Sequence, residues 1–183
     1  MSAQVRLALQ AQIQAPAAPQ PAFTRVQDWI RYWNWVALQS AALQQRIPNA
    51  QVRKRLLQEV WYESVRAALD PDLVLGLIQV ESGFNRYALS SVQAMGLMQV
   101  MPFWTRQVGD GHALELFSVP VNLRYGCTIL RHYLDEENGN LFMALGRYNG
   151  SRGQPAYPDA VLSARRHFEQ IATWPATPAS APQ

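Results

Sequence analysis

The sequence has one cysteine, one lysine and no long apolar run. Cys127 has no second cysteine to pair with in the 183-residue chain, so an intramolecular disulfide is excluded, and we interpret this residue as a small buried hydrophobe. No stretch approaches the ~20 apolar residues of a membrane-spanning helix. Residues 1–23 contain a single Arg, and Gln interrupts their apolar positions, so they make a poor signal peptide.

Charged residues are also scarce, at 16% of the chain, and the formal net charge is +3. Apart from a short run at 53–55 and a pair at 165–166, the basic residues are scattered and have no interleaved aromatics, so nucleic acid is not expected as a partner. His112, His132 and His167 share no metal-ligand spacing, so we expect no metal site and no cofactor. The mild positive charge suits an acidic polymer but also many other partners.

The hydrophobic content of 49% is enough for one domain with a core. Residues 1–22 are rich in Ala, Gln and Pro, and residues 175–183 have a similar composition, so both segments are predicted to be flexible. Between them we predict an N-terminal helical extension over residues 23–60 and the main domain over residues 61–174.

Apolar residues recur every three or four positions through most of the middle of the chain, which is typical of helices. The predicted helices cover residues 24–47, 52–69, 71–81, 97–102, 120–137, 141–149 and 157–172. The third has Asp70 as N-cap, Pro71 at its first position and Gly83 after its end. Strand signals are nearly absent, so the fold class is all-α, or α+β at most, with a small irregular or β element near 84–95.

Two repeated side-chain types invite a functional interpretation. Trp29 and Trp33 fall on the apolar stripe of the first predicted helix and are expected to pack it on the domain, although the tryptophan cluster could instead stack on a sugar. Trp35 falls off that stripe, which favours a surface role. The methionines at 95, 98 and 101 are interpreted as lining of the core or of a cleft rather than as soft-metal ligands.

Glu81 is the carboxylate with the most apolar surroundings. Leu77 and Ile78 precede it by four and three residues and therefore share its helix face. Such surroundings desolvate a carboxyl group and raise its pKa, and a carboxyl that is neutral near pH 7 can donate the proton that glycosidic bond cleavage needs. The helix alone leaves the alternative of a helix-end Glu that points to water.

Four short blocks place this Glu in a wider pattern. They are "ESGFN" (81–85), "GLMQVMP" (96–102), "VPVNLRYGCTILRHYL" (119–134) and "ALGRYNGS" (144–151). In order and spacing they resemble the catalytic domain of the soluble, lysozyme-like SLT family of lytic transglycosylases. The resemblance covers about residues 65–165 and implies a lysozyme-like SLT domain preceded by extra N-terminal helices.

The resemblance also assigns roles to residues. It implies that Glu81 is the catalytic acid, that Ser90 helps to hold the N-acetyl sugar of an intermediate, that Gln99 contacts the sugar, and that the Tyr148 hydroxyl lies near the carboxyl. The full set of implied substrate-binding residues is Ser82, Ser90, Met98, Gln99, Met101, Arg147, Tyr148 and Asn149.

The sequence departs from the family pattern at two places. Arg86 stands where the family commonly has Pro, and residues 91–93 replace a usual "PAG", so the loop that contains Ser90 is expected to differ in shape. Arg147 replaces a usual Ala. It either adds a cation at the cleft for peptide carboxylates or faces solvent.

Most glycosidases use two carboxylates, but no other acid in the matched region combines an apolar setting with a motif. Asp72 is interpreted as a first-turn helix charge, Asp110 as a turn residue and 135–137 as a solvated cluster. The resemblance implies that Glu81 acts alone, first as acid and then as base, on the MurNAc–GlcNAc link of peptidoglycan, and that the product is 1,6-anhydroMurNAc. The alternatives are a muramidase, or a non-catalytic wall-binding or scaffold module.

The implied partner is the peptidoglycan glycan strand, outside the cytoplasmic membrane in the periplasm or cell envelope. The N-terminal helices lie outside the matched region. One hypothesis is that they dock an envelope-spanning secretion or conjugation complex.

Overall fold

The computed structural model describes residues 1–15 and 23–172, and side chains as far as residue 169. The described residues fold into helices α1 (Ala3–Gln14), α2 (Val26–Ala42), α3 (Ala50–Arg66), α4 (Pro71–Ser82), α5 (Phe103–Val108), α6 (Val119–Glu136), α7 (Leu141–Asn149) and α8 (Ala156–Ala172), with a 3-10 helix at Ala113–Phe117. No named strand occurs in these ranges. Two isolated β-bridges, Leu89–Met95 and Met95–Val100, form the small β element expected near 84–95. The fold is therefore all-α, as predicted.

The N-terminal segment differs from the predicted flexible lead-in, because Ala3–Gln14 is helical. The segment has no Pro before position 16 and is made largely of the helix formers Ala, Leu and Gln. The Ser2 side chain caps it by accepting from the Val5 backbone N–H at 3.2 Å, and Leu9 is buried. Capping and packing offset the cost of ordering this segment. Residues 16–22 of the lead-in and the tail 175–183 lie outside the described residues.

Two arginines of the main domain hold the carbonyl end of α1. Arg66 donates to the Gln12 carbonyl at 3.0 Å, and Arg124 donates to the Ala15 carbonyl. Both guanidinium groups also pair with Glu63, at 2.8 Å and 2.7 Å, and the Glu63 side chain is only 1% exposed. Cations at a helix C-terminus complement its dipole, so a buried charge network joins α1, α3 and α6.

The orientation of α2 corrects two tryptophan predictions. Trp35 is buried rather than at the surface, and its indole N–H donates to Asp72 Oδ1 at 2.7 Å. Trp29, which was expected to pack, is 52% exposed. The buried face of α2 contains Tyr32, Trp35 and Val36. An indole can be buried when its N–H has a partner, and the partner here comes from α4, which the periodicity of α2 does not reveal.

α4 lies at the centre of the domain, and its residues 72–78 are all buried. It packs chiefly against α8. Gly76 permits this approach, since a Cβ there would lie 2.7 Å from the Arg165 backbone nitrogen. As predicted, Asp70 caps the helix by accepting from the Asp72 backbone N–H at 3.0 Å, and Gly83 ends it in the left-handed conformation with φ 55°. Its last turn is therefore rigidly placed.

The helix predicted from Leu97 to Pro102 is wrong. Residues 95–100 instead form a tight turn in which Met95 and Val100 exchange two backbone hydrogen bonds of 3.0 Å. Gly96 (φ 77°) and Gln99 (φ 47°) adopt left-handed conformations that interrupt a helix. The next helix, α5, begins after Pro102.

Asp72 makes the stability of the fold depend on pH. Burial is the main cause that raises its pKa to about 6. The Trp35 hydrogen bond opposes the shift, Asp70 and Glu169 add to it, and Arg165 opposes it. Because the folded pKa lies above the unfolded value of 3.8, the native state binds this proton more tightly. The resulting stabilisation is present below about pH 4 and is lost as the pH rises through 6.

We therefore expect the free energy of unfolding of the native chain, relative to that of Asp72→Asn, to fall by up to about 3 kcal/mol between pH 4 and pH 7. Asn keeps the carbonyl that accepts from Trp35 but cannot ionise. Urea unfolding of both proteins across this range measures the difference. Parallel stability curves for the two proteins would show that Asp72 titrates normally in the fold.

Candidate active site

The Glu81 carboxyl lies in the last turn of α4, partly buried. Leu77 and Ile78, which share its face, are fully buried, so the apolar setting predicted from the sequence is confirmed. Burial raises the pKa of Glu81, and a hydrogen bond from the Tyr157 hydroxyl to its Oε1 opposes that rise. Within the part of the chain that the structure describes, no cation forms an ion pair with this carboxyl. The group is therefore placed to hold a proton at higher pH than an ordinary Glu.

Two tyrosines frame this carboxyl. Tyr157, in the first turn of α8, donates directly to Glu81. Tyr148, in α7, donates instead to the Met98 carbonyl at 2.8 Å. Burial is the main cause that raises the pKa of both tyrosines above 10, and the negative charge of Glu81 adds to it. Both phenols therefore stay protonated and act as hydrogen-bond donors.

Tyr157 was missed by the sequence analysis, which assigned it only to the last helix. It lies 76 positions after Glu81, and no local pattern joins the two. The one sequence signal for Tyr157 is its place in "AYPD" at the start of the last predicted helix, because a large aromatic side chain in a first turn is expected to pack against a neighbouring element. Only the packing of α8 on α4 brings its hydroxyl to the carboxyl.

The turn at 95–100 is held in place by Asn122 of α6. The Asn122 side chain accepts from the Met98 backbone N–H and donates to the Met95 and Leu116 carbonyls, each at 2.8 Å. It is 1% exposed. Gly96 is required beside it, since a Cβ there would lie 2.3 Å from Asn122 Nδ2. One buried amide thus fixes the turn that accepts from Tyr148.

Gln99 lies on this turn and is partly exposed. Its amide nitrogen donates to the Ala88 carbonyl at 3.1 Å and to the Gly96 carbonyl at 3.0 Å. Its amide oxygen accepts no hydrogen bond from the described residues. The side chain is therefore held by its nitrogen and offers its oxygen to a ligand.

The two predicted serines make backbone contacts. Ser82 Oγ lies 2.7 Å from the Leu97 carbonyl and 3.1 Å from the Ile78 carbonyl, and so links the end of α4 to the turn. Ser90 Oγ accepts from the Ala94 backbone N–H at 2.9 Å and closes the loop that departs from the family pattern. The exposed Arg86 of that loop has its guanidinium 4.8 Å from the Tyr87 ring centre.

The remaining residues predicted to bind substrate differ in how far their side chains are exposed. Met98 is fully buried and packs towards Gly126, so its side chain has no surface for a substrate in this structure. Met101 is partly exposed, as a lining residue requires. Asn149 is exposed, and its amide donates to Ser151 Oγ at 3.0 Å.

The Arg147 guanidinium is exposed and pairs with Glu136 at 3.3 Å and with Glu137. Arg152 also pairs with Glu137, at 2.7 Å. These two arginines, Arg152 first, lower the pKa of Glu137 to about 2. The acidic cluster predicted at 135–137 is thus partly tied into ion pairs, and Arg147 belongs to that network.

The other acids of the matched region make separate contacts. Asp110 accepts from the His112 backbone N–H at 3.0 Å in a turn, as predicted. Asp72 is bound to Trp35 at the opposite end of α4. Among the described residues, no group of three or more His, Cys, Asp or Glu is arranged to hold a metal ion. The described helices also include none that is long and apolar enough to cross a membrane.

Comparison with known proteins identifies a family for the part of the chain that contains the candidate active site. The family model described as "Transglycosylase SLT domain" matches residues 60–158. A transglycosylase of Enterobacteria phage PRD1 is 38% identical over 114 residues, which cover 56% of this chain and 42% of the relative. The membrane-bound lytic murein transglycosylase C of Mannheimia succiniciproducens is 42% identical over 73 residues, covering 39% of this chain and 20% of the relative.

Among solved structures, an inactive mutant of lytic transglycosylase Slt from Pseudomonas aeruginosa is 21% identical and covers 79% of this chain and 27% of that one, with a TM-score of 0.48. The chain spans less than half the length of each of these relatives.

Proposed function

Because the chain belongs to the transglycosylase SLT domain family, we propose that it is a peptidoglycan lytic transglycosylase. It cleaves the MurNAc–GlcNAc β-1,4 link and leaves 1,6-anhydroMurNAc ends. The observation that carries the proposal is the setting of Glu81, a carboxyl with a raised pKa that receives a hydrogen bond from a neutral phenol and forms no ion pair with any described residue. This setting suits a group that must be an acid in one step and a base in the next.

In the first step, protonated Glu81 donates its proton to the glycosidic oxygen, and the bond from that oxygen to the MurNAc anomeric carbon breaks. The 2-acetamido group of the substrate shields the anomeric carbon. In the second step, the Glu81 carboxylate removes the proton of the 6-hydroxyl, and that oxygen bonds to the anomeric carbon. Glu81 ends protonated as it began, and no water is consumed.

Neighbouring residues assist these steps. The Tyr157 hydroxyl stabilises the carboxylate between the two steps, because a hydrogen bond to an ionised acceptor is stronger than one to a neutral acceptor. The free amide oxygen of Gln99 accepts from the sugar, and Ser90 and Met101 line the substrate path. Ser82 and Tyr148 act on the substrate indirectly, through the turn that they hold. Arg147 and Asn149 form the outer part of the binding surface.

The products of digestion test this function. We expect purified protein to release muropeptides from sacculi that are lighter by one water than the matching hydrolysis products, as mass spectrometry of the digest measures. Reducing-end products of full mass would show a muramidase instead. An absence of soluble products, from protein shown to be folded, would indicate a non-catalytic module.

Removing the Tyr157 hydroxyl is expected to change the pH profile. That hydroxyl lowers the pKa of Glu81 while burial raises it, so Tyr157→Phe raises the pKa further. The acid form then persists to higher pH, and the high-pH limb of the activity profile moves upward. The maximal rate falls about tenfold, because the carboxylate loses a charge-assisted hydrogen bond. Rates of muropeptide release across pH measure both effects.

The control for this experiment is Tyr62→Phe, which removes a partly buried hydroxyl of α3 that makes no hydrogen bond in the described part of the chain. It is expected to leave the profile in place. A Tyr157→Phe protein with the native high-pH limb would show that the hydroxyl does not act on Glu81.

We infer that the protein acts on peptidoglycan in the periplasm or cell envelope. The docking of the N-terminal helices to an envelope-spanning secretion or conjugation complex stays a prediction. What supports it is the exposed apolar side of α2, which contains Val26, Trp29 and Ile30.

A further inference from the structure

A concave site lies at the end of α4 opposite to Glu81. It is a cavity of about 790 Å³ between α2, α3 and the start of α4, within the size range of small-molecule sites. Asp72 lines it and lies nine residues before Glu81, about 14 Å along the helix. The cavity therefore belongs to a different surface from the candidate active site, and residues of the N-terminal extension build much of it.

One wall of this cavity is aromatic. Phe23, Trp35 and Trp61 line it. The Trp61 ring lies 5.2 Å from Trp35 and 5.3 Å from Tyr32, in tilted and edge-to-face arrangements that fix its orientation. Trp61 and Phe23 are partly exposed. The wall is thus rigid and offers apolar ring surface at the cavity.

The polar side of the cavity contains charges that are mostly matched. Asp28 pairs with Arg25 and Asp70 with Arg165, each at 2.8 Å. Asp72 accepts from Trp35 and Gln39 at Oδ1. Two of the three carboxylates therefore need no cation from a ligand, but all of them keep lone pairs that can accept from hydroxyl groups.

Three polar groups remain open for a ligand. Asp72 Oδ2 accepts no hydrogen bond from the described residues, although its side chain is about nine-tenths buried. Arg31 and Asn34 are exposed at the rim and form no ion pair or side-chain hydrogen bond with the described part of the chain. A donor, an acceptor and an amide thus line the same cavity as the aromatic wall. This combination suits a neutral ligand that has an apolar face and several hydroxyl or amide groups.

We propose that this cavity is an accessory site for a neutral N-acetylated saccharide segment of the glycan strand. The sugar ring packs on Trp61 and Phe23, while its hydroxyl and acetamido groups bond to Asp72, Arg31 and Asn34. The identity of the saccharide rests on the proposed function, which supplies the polymer. Binding at two sites on one polymer raises the effective concentration of the strand at the active site.

The test uses Glu81→Gln protein, which leaves the probe uncut, and an N-acetylglucosamine tetramer as the probe. The indole N–H signals of Trp35 and Trp61 in a two-dimensional NMR spectrum report on the cavity, and amide signals near Gln99 report on the active site. We expect saturable shifts of both indole signals. Asn34→Ala is expected to weaken this binding about fivefold, as loss of one hydrogen bond does, and Val65→Trp, which fills the mouth, is expected to abolish it.

The matched control is Gln27→Ala, which alters an exposed amide on the same helix that does not line the cavity, and it is expected to keep the native affinity. The proposal is overturned if the shifts are confined to the active site, if no indole signal saturates, or if only a sugar-free stem peptide shifts Trp35. If native protein releases anhydro products but the indole signals do not shift, the proposal of an accessory site is contradicted and the proposed activity is kept. If the indole signals shift but native protein cleaves nothing, the proposed activity is contradicted and the accessory site is kept.

Discussion

Glu81→Gln is expected to reduce the release of muropeptides from sacculi about 1000-fold, within the range for loss of a general acid. Gln has nearly the same shape, so the Tyr157 hydroxyl can still donate to its carbonyl oxygen, and the fold is kept. The Gln side chain, however, has no acidic proton to give to the glycosidic oxygen. Because Glu81 serves as acid and then base in the proposed mechanism, one substitution removes both steps.

The control for this loss is Glu115→Gln, which alters an exposed carboxyl of the 3-10 helix and is expected to retain activity. Circular dichroism establishes that each variant is folded, and the rate of release of soluble products gives the effect. Activity in Glu81→Gln within threefold of the native rate would assign the acid to another residue.

Asn122→Ala is expected to lower the free energy of unfolding by about 4 kcal/mol and to remove most activity. The substitution leaves the Met98 N–H and the Leu116 carbonyl buried without a partner, and each such group costs about 1–3 kcal/mol. The Met95 carbonyl loses one of its two donors and keeps the Val100 N–H. The freed turn can no longer hold Gln99 or accept reliably from Tyr148. Urea unfolding and the digestion assay measure the two losses.

Asn140→Ala serves as the matched comparison, since Asn140 is exposed and caps α7 by accepting from the Met143 N–H at 3.1 Å. Loss of an N-cap costs about 1 kcal/mol, and activity is expected to remain. Equal destabilisation in the two variants would mean that the turn at 95–100 is held by other contacts.

The sequence predicted α4 well because its signals are local. Asp70 and Pro71 mark its start. Gly83 marks its end, because a glycine adopts the φ of 55° found at this position without strain. The apolar face beside Glu81 follows from helix periodicity within the same twelve residues. The family motifs then added Tyr148, which no periodicity could have placed near the carboxyl. They did not reveal the turn at 95–100, part of which was predicted to be helical.

The contacts that sequence reasoning missed join distant parts of the chain. Tyr157 reaches Glu81 only through the packing of α8, and Asn122 reaches Met98 across 24 positions. The predictions for Trp29 and Trp35, one expected to be packed and the other exposed, were wrong for the same reason. The partner of the buried Trp35 indole is Asp72, which lies 37 positions away. Periodicity gives the face of a helix but not which neighbour will cover it.

The hydrogen bonds from Arg66 and Arg124 to the end of α1 have a practical consequence for anyone who shortens or labels this protein. Arg66 and Arg124 share Glu63 with one another and use further N–H groups on the last carbonyls of α1. A version trimmed to the family-matched residues 60–158 would keep Glu63, Arg66 and Arg124 but would discard α1 and residues 50–59 of α3. The buried charge cluster would then open to water. An affinity tag is therefore better placed ahead of Ser2 than spliced in place of the first helix.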